Sequence, residues 1–411
     1  METAVLAAAR DDAASIALGT LDVSDPSRFA NDTIGPYFER LRREAPVHFC
    51  ADSPQGPYWS ITRYADILAT DANHKVFSSA RGITLLDAPS EDVRTPMFIA
   101  MDPPKHDEQR KAVSPIVAPA NLAKLEGIIR SRVIAIIEAL PVNEPFDWVD
   151  RVSIELTTQM LATLFDFPFD DRRLLTQWSD AATKLPVTQA DWDTREAEMQ
   201  KCLKYFVGLW NQRVNAAPGN DLISMMAHNP ATRDMQPREF LGNLILLIVG
   251  GNDTTRNSIT GGLYFLNKNP GEYDKLRKQP DLIPSMVSEI IRYQTPLAYM
   301  RRTALIDAQI GDQQIKAGDK LAMWYVSGNR DSTAIPEPDR FLIDRPNVRQ
   351  HLSFGFGIHR CVGNRLAEMQ LRILWEELLR RYPVIEVTGE PTRVPSSFVR
   401  GYMALPVRIP A

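Results

Sequence analysis

Apolar residues recur at intervals of three and four along residues 121–140, 153–165, 194–216, 240–266, 284–294 and 364–380, the period of helices that bury one face. Shorter helices are expected at 35–45, stopped by Pro46, and at 64–70, since the residue before a proline is pushed out of the helical region. Apolar segments at 47–49 and 58–61 surround the turn-forming run 53–56, and an alternating stretch runs from Leu297 through Ala304 toward the turn Lys316-Ala317-Gly318-Asp319. Both patterns predict strand pairs. Residues 168–193 and 218–237 read as connections, and 1–33 as a loosely ordered arm. The prolines fall between the helical patterns rather than in one tract, so no interdomain linker stands out. The expectation is one domain over 1–411, mainly α with small β-sheets.

The helix at 240–266 departs from the amphipathic scheme. It is apolar nearly all round, through Leu241, Leu244, Ile245, Leu247, Ile248, Ile259, Leu263 and Leu266, and such a helix is buried. Its middle nevertheless reads Gly250-Gly251-Asn252-Asp253-Thr254-Thr255-Arg256. Each glycine costs a helix about 1 kcal/mol relative to alanine, so the run needs a cause: a kink with hydroxyls bonded back to carbonyls, or a polar face that meets something buried. Residues 78–101 are irregular yet carry Ile83, Leu85, Leu86, Met97, Phe98 and Ile99. An irregular segment this apolar is expected to line a pocket.

With 44% apolar residues among 411, the chain can bury a large core. The 47 basic and 51 acidic residues leave a net charge of -4, which suggests neither nucleic acid nor an anionic membrane as partner. Cys50, Cys202 and Cys361 are odd in number, far apart and free of any C-x-x-C pair, so disulfides and zinc sites are not indicated and a cytoplasmic protein is expected. Residues 1–20 do not read as a signal peptide. The longest wholly apolar run, Leu244 to Gly251, is far short of the ~20 residues of a membrane span.

Candidate chemistry concentrates around Cys361, in His351-Leu352-Ser353-Phe354-Gly355-Phe356-Gly357-Ile358-His359-Arg360-Cys361-Val362-Gly363. Two glycines let the backbone approach something flat or bulky, and the helical period starting at Asn364 sets the sulfur at a helix N-terminus. Unpaired N–H groups there favour a thiolate, which can ligate iron. Further upstream, Asp102 fits an N-cap with Pro103 at the first helical position, which would put His106 and Arg110 on one helix face.

The spacing Phe354-x-x-Gly357-x-x-x-Cys361-x-Gly363 resembles the haem-binding loop of the cytochrome P-450 superfamily. Three further strings are similar to the superfamily's motifs and stand in the same order: Asp102 to Arg110, Gly250 to Thr255, and Glu289-x-x-Arg292 with Pro338-Asp339-Arg340-Phe341. The resemblance implies the cytochrome P-450 fold, a triangular helical body with haem b between the central helix and the helix after Cys361. It implies that Cys361 is the axial iron ligand and that Phe354 and Gly357 shape its loop. His106, Arg110, Arg302 (with Arg301 beside it) and His359 would bind the haem propionates. Asp253 and Thr254 would relay protons to the oxygen-binding side, a pair that peroxide-using relatives usually lack. Glu289, Arg292 and Arg340 would form a buried charge network that fixes the loop. Residues 78–101 and 398–401, the latter in a C-terminal strand pair, would reach the substrate pocket, with 168–193 as its lid. Leu85, Val249, Gly250, Leu297 and Phe398 are the candidate pocket residues.

Finer wording, Leu246-Leu247-Ile248-Val249-Gly250-Gly251-Asn252-Asp253-Thr254-Thr255 and Thr295-Pro296-Leu297-Ala298-Tyr299-Met300-Arg301-Arg302, is similar to the soluble bacterial alkane hydroxylases within that superfamily. The implied activity is insertion of one oxygen atom of O2 into the terminal C–H bond of a medium-chain alkane or fatty acid. The same chemistry on a terpenoid or other cyclic substrate is the alternative, and a non-catalytic haem sensor a further one. The chain has no flavin fingerprint or iron–sulfur cysteines, so electrons from NAD(P)H are expected through a 2Fe-2S ferredoxin and its reductase, docking near Arg349, Arg360 and Arg365 on a monomer.

Overall fold

The computed structural model describes residues 2–88, 90 and 94–411. Helices dominate. In chain order the ones that position the site are α1 (Glu2–Ser15), α2 (Gly35–Glu44), α3 (Tyr64–Ala72), α4 (Lys105–Val113), α5 (Pro119–Glu138), α6 (Glu155–Phe165), α7 (Arg173–Thr183), α8 (Gln189–Arg213), α9 (Leu222–His228), α10 (Pro237–Lys268), α11 (Ile283–Gln294) and α12 (Asn364–Arg381). The principal sheet contains β1 (Val47–Cys50), β2 (Tyr58–Ile61), β3 (Phe77–Ser78), β4 (Met300–Ala304) and β5 (Lys320–Met323), in the order β1-β2-β5-β4-β3. Among its described residues, β2 and β5 pair in parallel, with Trp59 opposite Leu321, and the other neighbours pair antiparallel.

Helix α10 is the axis. It is 32 residues long, and α6, α7, α11 and α12 all pack on it. Its buried Leu244, Ile248, Ile259 and Leu263 join Ile290 and Leu374 in the main core, as the all-round apolar pattern predicts. Where α10 crosses α6, a Cβ on Gly251 would stand 2.7 Å from Leu161 Cδ2, so glycine permits the close approach. A second cluster, containing Phe38, Tyr299 and Trp324, joins the N-terminal segment to the principal sheet.

Four expectations are corrected. Much of the arm is ordered: the described part of α1 buries Ala9 and Ala13, Tyr37 Oη donates to Asp12, and Arg40 Nη1 donates to the Ile16 carbonyl at 2.6 Å. Small alanines let two helices approach closely without the wide apolar stripe that marks a core helix. Residues 168–193 contain α7 and the start of α8, and 218–237 contain α9. Helix α4 begins at Lys105, and Asp102 does not cap it. The Asp102 carboxylate accepts instead from Ser78 Oγ and, at 3.2 Å, from Ser79 N. Among the described residues, no helix is long and apolar enough to cross a membrane.

Candidate active site

A cavity of about 1570 Å³ lies between α10, the Cys361 loop, α8 and the described part of 80–101. Cys361 is deep in the molecule but accessible because it faces this cavity. The loop that carries it is held by local chemistry. Cys361 N donates to the Phe354 carbonyl at 2.8 Å. Gly357 has φ +64°, a conformation that L side chains resist, and a Cβ there would sit 2.8 Å from the Asp71 carbonyl oxygen. Phe354 lines the cavity, whereas Gly357 serves the loop's packing from behind. Burial pushes the Cys361 thiol pKa up, against the N–H groups of Gly363 and Asn364 and the guanidiniums of Arg110 and Arg360, which pull it down. A bound cation would supply the charge that tips this balance to thiolate.

Thr254 and Asp253 occupy different positions. Thr254 lines the cavity and its hydroxyl donates to the Gly250 carbonyl at 2.8 Å, so back-bonding and a polar cavity face coexist in a helix that stays continuous through this run. A Cβ on Gly250 would meet nothing within 4 Å, which leaves open space beside Thr254. Asp253 is fully buried behind that surface. Its Oδ1 accepts from Arg256 Nη2 at 2.8 Å and from Asn252 Nδ2 at 3.1 Å, while Oδ2 has no partner. Arg256 Nη2 also donates to Asp180 Oδ1 at 2.9 Å, and the Asp180 side chain is 54% exposed. A polar path therefore runs from solvent to the residue beside Thr254. Burial raises the Asp253 pKa, against the nearby Arg256.

His106, Arg110, Arg302 and His359 come together near Cys361. The His106 and His359 rings are 4.4 Å apart, and Arg302, His106 and Arg110 all act electrostatically on His359. Burial, then these cations, pull the His359 pKa down to about 2. His106 Nε2, His359 Nδ1 and Arg302 Nε are buried without hydrogen-bond partners. Orphaned polar atoms of this kind are uncommon in finished interiors. A flat, apolar, dianionic group fits the arrangement: its carboxylates would satisfy the orphans and cations, its face would meet Phe354, Leu366 and Ala367, and its metal would meet Cys361.

Of the pocket residues, Val249, Gly250, Leu297 and Phe398 line the cavity. Leu85 does not: it is fully buried in the N-terminal cluster, and its neighbours Thr84 and Leu86 take the wall. An irregular segment has no period to tell which of two adjacent leucines faces inward.

The charge network is also rearranged. Glu289 and Arg292 are buried and joined through both carboxylate oxygens at 2.7 and 2.8 Å. The third member is Arg345, whose Nε donates to Glu289 Oε2 at 3.1 Å. The Arg340 side chain is 64% exposed and pairs with Glu337; only its carbonyl joins the network, accepting from Arg292 and Arg345.

Asp71, which the sequence pattern did not single out, holds the site together. This buried α3 carboxylate accepts from Arg302 Nη2 at 2.7 Å, Tyr325 Oη at 2.7 Å and Phe356 N at 2.8 Å. It thus fastens Arg302 and the cysteine loop to one point. Asp71→Asn is expected to lower the stability of the haem-loaded protein by about 3 kcal/mol, because it leaves a buried guanidinium without its counter-charge. A denaturant midpoint equal to wild type would remove Asp71 from this role.

A buried helix that turns a polar run to the same cavity as a cysteine, with partnerless buried nitrogens of His106, His359 and Arg302 beside it, defines the haem-thiolate class of oxygen-using enzymes. The chain belongs to the cytochrome P450 family, whose model matches residues 128–406. It is 37% identical to linalool 8-monooxygenase of Pseudomonas putida over 94% of this chain and 98% of that one. It is 32% identical to the methyl-branched lipid omega-hydroxylase of Mycobacterium tuberculosis over 96% of this chain and 94% of that one. Among solved structures it superposes on cytochrome P450-153 from Novosphingobium aromaticivorans with TM-score 0.90 and 48% identity, covering 94% of this chain and 99% of that one. CYP153D17 from Sphingomonas sp. PAMC 26605 gives 0.91 and 50%, covering 95% and 99%. The protein is a cytochrome P450 monooxygenase that uses haem b, O2 and electrons derived from NAD(P)H.

Proposed function

We propose that the protein hydroxylates the terminal carbon of a medium-chain alkane or fatty acid, with electrons delivered by a 2Fe-2S ferredoxin and its reductase. The observation that carries this reading is that Cys361 and Thr254 share one cavity whose lining includes the apolar side chains of Leu246, Val249, Leu297 and Phe398. A terminal methyl is intrinsically less reactive than the methylenes beside it, so selectivity has to come from walls that present only the chain end. The omega-hydroxylase relative and the two P450-153 neighbours support the assignment.

Haem, when bound, supplies the oxidant that places one oxygen atom in the C–H bond. Cys361 holds the iron through its thiolate, and His106, Arg110, Arg302 and His359 bind the propionates. Glu289, Arg292 and Arg345 brace the loop. Thr254 offers a hydroxyl at the cavity face, and Asp253 passes it protons from behind. The exposed Arg349, Arg360 and Arg365 offer a cationic face to an acidic ferredoxin.

The test is product analysis of dodecane and dodecanoate turnover with ferredoxin and reductase, at low and high salt. Terminal alcohol is expected to dominate, and Leu297→Ala to shift the terminal-to-subterminal ratio by roughly tenfold, the scale of one or two methylenes in an apolar pocket. Mainly subterminal product from wild type would overturn the regiochemistry, and turnover insensitive to salt would overturn the docking face. The second reading, a terpenoid substrate, is favoured by the identity to linalool 8-monooxygenase; preferential oxidation of an acyclic monoterpene alcohol in the same assay would select it.

A further inference from the structure

The cavity's charges are unevenly matched. Among the described residues its lining carries nine lysines and arginines against four carboxylates. Those carboxylates are committed: Asp87 to Arg301 and Lys320, Asp102 to Ser78 and Ser79, Asp193 to Gln189, and Glu196 to Gln200 and Arg238. Lys105 and Lys184 are paired with Glu239 and Asp191, while Arg110 and Arg302 belong to the haem rim. Arg81 is exposed, so water satisfies it.

Arg195 is different. Helix α8 turns Gln189, Trp192, Asp193, Arg195, Glu196 and Met199 to the cavity, the two carboxylates among them being those already committed to Gln189 and to Gln200 and Arg238. Arg195 is half-buried there and makes no hydrogen bond or ion pair among the described residues. Its guanidinium lies 5.5 Å from the centre of the Trp192 ring, which steadies it without neutralising it. Burial lowers its pKa and only the neighbouring Glu196, already held by two other donors, opposes this. A guanidinium in the cavity wall that no carboxylate among the described residues bonds is a receptor for a planar anion, and its fork matches a carboxylate.

We infer that Arg195 forms an anion subsite on α8 that takes the carboxylate of a fatty-acid substrate, so that among linear substrates the acid is preferred to the uncharged chain. The inference rests on the linear-substrate reading above. Met199, Leu246 and Val249, also in the lining, are available to the alkyl chain while the carboxylate is held at α8.

The experiment measures binding of dodecanoate and of methyl dodecanoate to the haem-loaded protein, by the spin-state change and by calorimetry. Wild type is expected to bind the acid about tenfold or more tighter than the ester. Arg195→Gln removes that preference by weakening the acid alone, and Arg195→Lys, which keeps the charge but not the fork, restores part of it. Equal affinity for acid and ester in wild type, or equal weakening of both in Arg195→Gln, would overturn the subsite. The position of the hydroxyl group in the product is read separately. Subterminal product with the acid preference intact would sink the terminal reading and leave Arg195 in place, and the converse result would do the reverse.

Discussion

Cys361→Ser is expected to abolish the strongly red-shifted Soret band of the reduced, carbon monoxide-bound protein and to reduce monooxygenase turnover by more than the roughly 10- to 100-fold that loss of an outer ligand partner costs a metal site. The reason is electronic. Thiolate sulfur is a soft, electron-rich donor that favours oxygen-bond cleavage at haem iron, and a serine oxygen at the same place is not. The substitution isolates this effect because what holds the loop is backbone: the Cys361 N–H to the Phe354 carbonyl, the positive φ of Gly357 and the Asp71 bond to Phe356 N all remain. The fold of the haem-free protein should therefore be kept, with an unfolding transition close to that of the haem-free wild type. A normal red-shifted band in Cys361→Ser, with haem bound, would mean that another group ligates the iron, and the assignment of the site would fail.

What could be read from the sequence, and what could not, follows from how far each cause lies along the chain. The Cys361 loop and the polar run of α10 announce themselves locally, because glycines and polar residues in an otherwise apolar helix conflict with the elements around them. The major helices were legible through their period. The partners that complete the site were not. Asp71 is far upstream of the Phe356 N–H it holds, and nothing in the sequence of α3 distinguishes that aspartate from a surface one. Arg345 displaced Arg340 for a similar reason: both follow Pro338, and only the path of the chain through Leu342, whose N–H bonds Glu289 Oε1 at 2.9 Å, decides which guanidinium turns inward. Arg256 stands out in the sequence as part of the polar run of α10, but the Asp180 carboxylate it reaches lies on α7, far upstream. In each case a long-range pairing, rather than a local preference, fixes the role.

Asp253→Asn is expected to lower turnover roughly 100- to 10,000-fold, the range of a positioned proton donor, while leaving the carbon monoxide band of the reduced protein unchanged. Asparagine keeps the shape and can still accept from Arg256, but it cannot lose and regain a proton. The geometry explains why the carboxyl suits this task. Burial raises its pKa, so it stays protonated to higher pH than an exposed carboxyl, and the Arg256 and Asp180 pair connects it to solvent. Thr254→Ala tests the other half. Its hydroxyl is the group of the pair that faces the cavity, so its loss should leave NADH oxidation running while hydroxylated product falls and hydrogen peroxide rises. The two variants thus separate supply of the proton from its delivery. In Asp253→Asn the slow step becomes proton transfer, and turnover should fall further in D2O than it does for wild type. Wild-type turnover with the ordinary solvent isotope effect in Asp253→Asn, or tightly coupled product formation in Thr254→Ala, would show that protons reach the cavity by a route that does not use this pair.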